Sequence, residues 1–175
     1  MTHMLKTTGL ASVLALTASV AVAQQTDLTI GLQLEPPHLD PTSAAAGAID
    51  SVLYANVFEG LTRFKADGSV VPGLAESWDI SEDGTEYTFT LREGVTFHDG
   101  TPFNAEAVKF NFDRMLDENH PFHNTGPFPL AFFFGAVEET TVVDDMTVKF
   151  TLNAPYAPFL STLAYPTGLI VSPAA

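Results

Sequence analysis

The 175-residue chain contains no cysteine. Disulfides, thiolate metal sites and thiol nucleophiles are excluded together. A lipidated cysteine that would tether an exported bacterial protein to a membrane is excluded as well. Basic residues are scarce, with seven Lys and Arg against 21 Asp and Glu. So acidic a chain has no basic surface for nucleic acid or anionic lipid. Long apolar runs are also lacking. Leu10–Ala23 is uncharged but falls short of the roughly 18–20 apolar residues that span a bilayer. No Gly-x-Ser-x-Gly elbow, Walker sequence or EF-hand loop occurs in the chain.

What is present at the N-terminus reads as an export signal. Lys6 and the amino terminus supply positive charge, Leu10–Ala23 supplies the apolar core, and Ala21-Val22-Ala23 supplies a small-x-small cleavage site. Residues 1–23 are therefore set apart from the fold. Removing them removes Lys6 and no acid, which leaves six basic against 21 acidic residues. The mature protein is expected to be periplasmic or secreted, without a lipid anchor. Its acidity fits a well-solvated surface or, more sharply, a cationic ligand. Fourteen Phe provide material for a packed core.

Periodicity then places the elements. Asp27–Gln33 alternates Leu28, Ile30 and Leu32 and predicts a strand. Pro36, Pro37 and Pro41 force the next stretch into an extended loop. Ala44–Val57 predicts a helix with Ile49, Leu53 and Val57 on one side. Leu61–Phe64 predicts a short strand before a turn at Ala66-Asp67-Gly68. Glu76–Ile80 and Tyr87–Leu91 predict a hairpin about Asp83-Gly84, with Tyr87, Phe89 and Leu91 on the buried face. Phe97–Pro102 reads as a turn. Asn104 suits the N-cap of a helix ending near Asp117. Gly135–Val143 and Met146–Leu152 predict a second hairpin, Pro158–Ala164 a short helix, and Gly168–Ser172 an apolar strand. The expected class is α+β for residues 59–166, flanked by pieces of a separate α/β sheet.

Few groups of residues suggest chemistry. His120 and His123 have a metal-gripping spacing, but Pro121 opposes the helix that would give the spacing meaning. His98, Asp99 and Thr101 invite a hydrolase reading, although adjacent residues in a tight turn rarely face one another, and Asp99-Gly100 is explained by turn chemistry. The paired acids Glu138-Glu139 and Asp144-Asp145 read as solvated charge. Phe132, Phe133 and Phe134 cannot all face one core, so at least one is expected to be exposed or to line a groove. No catalytic residue, metal site or cofactor is expected.

Gly73–Met115 resembles the signature block of the family 5 bacterial solute-binding proteins, the dipeptide, oligopeptide and nickel receptor group. The match is carried by Gly-Leu-Ala-Glu-Ser-Trp at 73–78, Thr-Phe-Thr-Leu-Arg at 88–92 and Phe-His-Asp-Gly-Thr-Pro-Phe-Asn-Ala at 97–105. Glu35-Pro36, Leu39-Asp40-Pro41, Phe58-Glu59-Gly60-Leu61 and Leu169–Pro173 extend it over the mature chain. The resemblance implies a periplasmic binding protein-like fold that closes on its ligand by a hinge. It assigns residues 24–58 and 167–175 to an incomplete first lobe and residues 59–166 to an inserted β-rich α+β domain, with the second lobe absent from this chain. It further implies a monomeric substrate-binding component of an ABC importer, delivering a peptide or peptide-like solute to permease subunits in the inner membrane. A metal chelate, sugar or opine-like solute is the alternative ligand. By similarity the ligand loop maps to Ala46, Gly47 and Ala48, with a further contact near Phe132. Where oligopeptide receptors tend to offer an acidic side chain, this chain has Ala46, which leaves room for a bulkier or less polar ligand.

Overall fold

The computed structural model describes residues 29–175, so the signal sequence expected at residues 1–23 lies outside the described residues. Residues 32–175 form one compact unit. Its centre is a four-stranded antiparallel sheet in the order β3-β4-β6-β5. These strands are β3 (Ala75–Ile80), β4 (Glu86–Leu91), β5 (Val137–Asp144) and β6 (Thr147–Leu152). Both expected hairpins form, with Trp78 opposite Phe89 in one and Val142 opposite Val148 in the other. Gly84 takes the left-handed φ of 70° that the first turn demands. The long-range pairing of β4 with β6 welds the hairpins together, Tyr87 opposite Phe150 and Phe89 opposite Val148.

The two central strands alternate as period two requires. Tyr87, Phe89 and Leu91 on β4 and Val148, Phe150 and Leu152 on β6 are buried. Helix α2 (Ala105–Leu116) packs over that face. It begins where expected, with Asn104 Oδ1 accepting the Ala107 N–H at 3.0 Å, and it ends at Asp117. Phe112 from the helix meets Phe150 edge-on at 4.7 Å, and Phe150 meets Phe89 and Phe159 at 5.7 and 5.4 Å. Phe159 lies on α3 (Phe159–Leu163).

A two-stranded ribbon, β1 (Thr62–Phe64) with β2 (Val70–Pro72), adjoins the sheet. Here two signature glycines approach each other. A Cβ on Gly73 would lie 2.5 Å from the Gly60 carbonyl oxygen, and a Cβ on Gly60 would lie 2.7 Å from that of Leu163. The motifs Phe-Glu-Gly-Leu and Gly-Leu-Ala-Glu-Ser-Trp thus hold glycine because two backbones touch there.

Three expectations need correction. No strand forms over Thr29–Gln33, and Ile30 and Leu32 are 70 % and 46 % exposed. Alternation alone makes no strand; the backbone needs a partner edge, and among the described residues none pairs with this segment. The first helix, α1, covers only Gly47–Leu53. Ala46 and Tyr54 both have extended backbones and Ala55 a left-handed φ of 56°, so the helix ends a turn before Val57. The segment expected to be a strand at Gly168–Ser172 opens instead in a 3-10 turn at Pro166–Gly168. It continues as extended, buried chain whose backbone pairs at the Gly60–Leu169 bridge, through Ile170 N–H to Glu59 O at 3.0 Å. A side chain stands in for the missing strand neighbour. Asn111 on α2 donates from Nδ2 to Val171 O at 2.8 Å and accepts the Val171 N–H at 3.1 Å.

Candidate functional site

The segment from Leu39 runs on a rigid stem through small residues into the first turn of α1, so that Ala46 caps the helix and Gly47 and Ala48 open it. Asp40 Oδ1 accepts the Thr42 N–H at 2.8 Å and the Thr42 hydroxyl at 2.7 Å, which closes an Asx turn around Pro41. Asp40 Oδ2 accepts from Arg114 Nη1 at 3.2 Å. Beyond the stem, Ala44, Ala45 and Ala46 lead into α1. Ala46 occupies the N-cap without a side-chain bond to offer, and Gly47 is exposed with open space where a Cβ would stand. Asp50 lies in the first turn of the helix, and burial raises its carboxyl pKa above the ordinary value.

The Phe cluster divides as its local geometry dictates. Ala131–Phe134 is a 3-10 turn, in which residues three apart share a side. Ala131 and Phe134 therefore turn inward, and Phe134 packs edge-on against Phe112 at 5.1 Å. Phe132 and Phe133 turn outward, and Phe132 is 67 % exposed. The outward rings form a row. Phe132 lies 4.3 Å from Phe133, Phe133 runs nearly parallel to Tyr165 at 6.4 Å, and Tyr165 meets Phe64 edge-on at 5.5 Å. So much bare aromatic surface is uncommon away from a contact site. Neither Tyr165 nor Phe64 is marked as a contact residue by any local sequence pattern.

Cavities of about 480, 310 and 620 Å³ in the described residues include none of Ala46, Gly47, Ala48 and Phe132. The first is apolar, bounded by Leu39, Phe97, Phe103, Phe110 and Ile170, with Asp40 and Arg114 at its polar edge.

The other expected constellations resolve into structure. Asp99 accepts the Thr101 N–H at 2.8 Å, the Thr101 hydroxyl at 2.6 Å and the Ser172 hydroxyl. Those bonds hold its carboxyl below the ordinary carboxylate value, the Ser172 bond most of all. His98 is not among its partners, so the two do not form a catalytic pair. His123 Nδ1 bonds the Arg114 carbonyl at 3.0 Å, and His120 Nδ1 accepts the Phe122 N–H at 3.3 Å. Asp144 and Asp145 serve the second hairpin turn and the start of α2, accepting from Met146 N–H and Asn104 Nδ2 at 2.9 and 3.1 Å. Among the described residues no group of three or more His, Asp or Glu could hold a metal ion. No helix among them is long and apolar enough to cross a membrane.

The family model for bacterial extracellular solute-binding proteins, family 5 Middle, matches residues 69–174, and the chain belongs to that family. It is a family of binding proteins, not of enzymes, which leaves His98 and Asp99 without a catalytic part. The chain is 40 % identical over 164 residues to di/tripeptide-binding protein 1 of Pseudomonas aeruginosa, covering 87 % of this chain and 30 % of that protein. Among solved structures it resembles a dipeptide-binding protein of Pseudoalteromonas sp. SM9913 in complex with Met-Leu. That likeness has a TM-score of 0.73 at 28 % identity, over 79 % of this chain and 30 % of the other. It also resembles the binding protein AgaA of A. tumefaciens R10 in complex with agropinic acid. There the TM-score is 0.71 at 33 % identity, over 80 % and 27 % of the two chains. The chain thus spans about a third of the length of the relatives it matches. A periplasmic binding protein-like fold, present here in part, is what these neighbours share with it.

Proposed function

We propose that this chain is the N-terminal part of the substrate-binding component of an ABC importer, and that the whole protein takes up small peptides. The observation that carries the reading is family membership over residues 69–174 joined to a relative named for di- and tripeptides. Residues 24–58 and 167–175 are assigned to the first lobe and residues 59–166 to the inserted domain. The second lobe is supplied by chain beyond this sequence. Ala46, Gly47, Ala48 and Phe132 face the ligand, which the closing lobes enclose and present to permease subunits. The protein is exported by cleavage after Ala23 and works as a soluble monomer outside the inner membrane. Support for the site is the exposure of Phe132 and the open space at Gly47. The small residues at 46–48 leave room for the ligand's own side chains.

A second ligand class has a specific observation behind it, the likeness to a receptor holding agropinic acid, an opine. Calorimetric titration of the full-length protein with di- and tripeptides and with agropinic acid tests both. Peptide binding with no response to the opine is expected. Opine binding with no response to any peptide would replace the proposed ligand class.

A further inference from the structure

We infer that Arg114 is a positioning residue for the ligand loop: from helix α2 it fixes the stem at residues 40–43 and so orders Ala46–Ala48. The inference rests on the ligand role proposed for those three residues. Its physical basis is a buried charge that ties the stem, and Thr125 beside it, to helix α2. The Arg114 side chain is 7 % exposed. Nη1 donates to Asp40 Oδ2 at 3.2 Å and to Thr125 Oγ1 at 3.4 Å, while Nη2 donates to Thr42 Oγ1 at 2.8 Å. The guanidinium carbon stands 5.2 Å from the centre of the Phe128 ring. Phe128 itself has a left-handed φ of 40°, an unfavourable conformation for a bulky residue.

Thr42 is thereby gripped three ways. Its hydroxyl donates to Asp40 and accepts from Arg114, and its N–H donates to Asp40. The next residue, Ser43, is buried against Gly126, where any Cβ would collide with the Ser43 side chain. Past Ser43 no side chain holds the chain until α1 begins at Gly47. Residues 44–48 are Ala and Gly, the Ala46 N-cap makes no side-chain bond, and the first backbone bond is Ile49 N–H to Ala46 O at 2.8 Å. Ala46–Ala48 are therefore ordered from the stem on one side and from α1, anchored by buried Ile49 and Leu53, on the other.

Stability alone is a poor reason for this arrangement. Arg114 Nε is buried with no partner. Burying a guanidinium with a donor unmet is costly, and an apolar replacement of the whole ion pair is commonly neutral or better for stability. What an apolar side chain cannot supply is a two-pronged fork that fixes a carboxylate and a hydroxyl at once. A lysine ammonium, a single point of charge, cannot match that fork either.

The test uses the full-length protein, hydrogen exchange at named amides, and calorimetric titration with the dipeptide Met-Leu. Arg114→Met is expected to speed exchange at Thr42 and Ile49 and to weaken Met-Leu binding, each by about tenfold or more, as loss of charged hydrogen bonds implies. Exchange at Phe89 and Phe150 in the sheet should rise by much less than in the loop. Arg114→Lys should fall between the two. If Arg114→Met does not fold, Arg114→Lys and the isosteric Thr42→Val carry the same comparison. Unchanged exchange at Thr42 and Ile49 overturns the inference, as does faster exchange throughout the sheet in step with the loop. Ala46→Trp separates the two levels. If it abolishes binding while the Arg114 variants bind normally, the site stands and the positioning role falls. If Ala46→Trp binds normally, or the unaltered protein ignores Met-Leu, the site reading fails and takes the positioning role with it.

Discussion

Asn111→Leu should cost this chain about 2–6 kcal/mol of stability, mostly through a residue sixty positions away. The asparagine is 3 % exposed and uses its whole amide. Nδ2 donates to Ala107 O at 2.9 Å and to Val171 O at 2.8 Å, and Oδ1 accepts the Val171 N–H at 3.1 Å. Leucine has nearly the same volume, so little cavity is made. Val171 loses both partners in place, and each buried backbone group left unpaired costs about 1–3 kcal/mol. Urea unfolding can be followed through Trp78, the single tryptophan, which packs 6.1 Å from Phe89. The midpoint should fall while the slope with denaturant stays constant, since the surface exposed on unfolding is unchanged. A loss below about 0.5 kcal/mol, the size of an ordinary surface substitution, would refute the reasoning. It would mean that water satisfies Val171 and that Asn111 does not replace a strand neighbour.

Other perturbations have equally definite outcomes. Gly73→Ala places a Cβ against the Gly60 carbonyl and should lower the unfolding free energy by about 1–3 kcal/mol; an unchanged melting temperature would show that the two backbones can part freely. Phe150→Ala removes a fully buried ring that touches Phe89, Phe112 and Phe159, with an expected loss of about 3–5 kcal/mol in the same urea assay. Asp99 has a carboxyl held below its ordinary value of 3.8 by the Ser172 and Thr101 bonds. A lowered folded value means the contribution is complete above the ordinary value and is lost as pH falls through the folded one. Asp99→Asn should therefore flatten the acid limb of the stability curve below about pH 4; parallel curves for the two proteins would contradict it.

Local features of the fold were legible, and distant ones were not. The hairpin of β3 and β4 announces itself through Tyr87, Phe89 and Leu91 alternating after Asp83-Gly84. The cap on α2 is visible in Asn104. Nothing in either hairpin says that β4 pairs with β6 and not with β5, because both partners carry the same period. Thr29–Gln33 shows the reverse failure, a correct alternation with no pairing edge among the described residues. The links that hold the candidate loop and the last segment in place join Asp40 to Arg114, Asn111 to Val171, and Asp99 to Ser172. Each pair lies 60 to 74 residues apart, and each member looks ordinary among its sequence neighbours. Phe132 stood out because three consecutive Phe cannot share one side. Tyr165 and Phe64, which extend its row, were silent because each is a lone aromatic in its own segment. Ala46–Ala48 came from resemblance alone, since small side chains carry no chemical signal.

The most direct test of the receptor reading is the mass of whatever travels with the protein. Full-length protein isolated from the extracytoplasmic fraction of its source, held under native conditions in the mass spectrometer, should carry a bound species. On release, that species should fragment into amino-acid residues as a di- or tripeptide. A bound molecule without a peptide bond, such as an opine, would contradict the proposed ligand class.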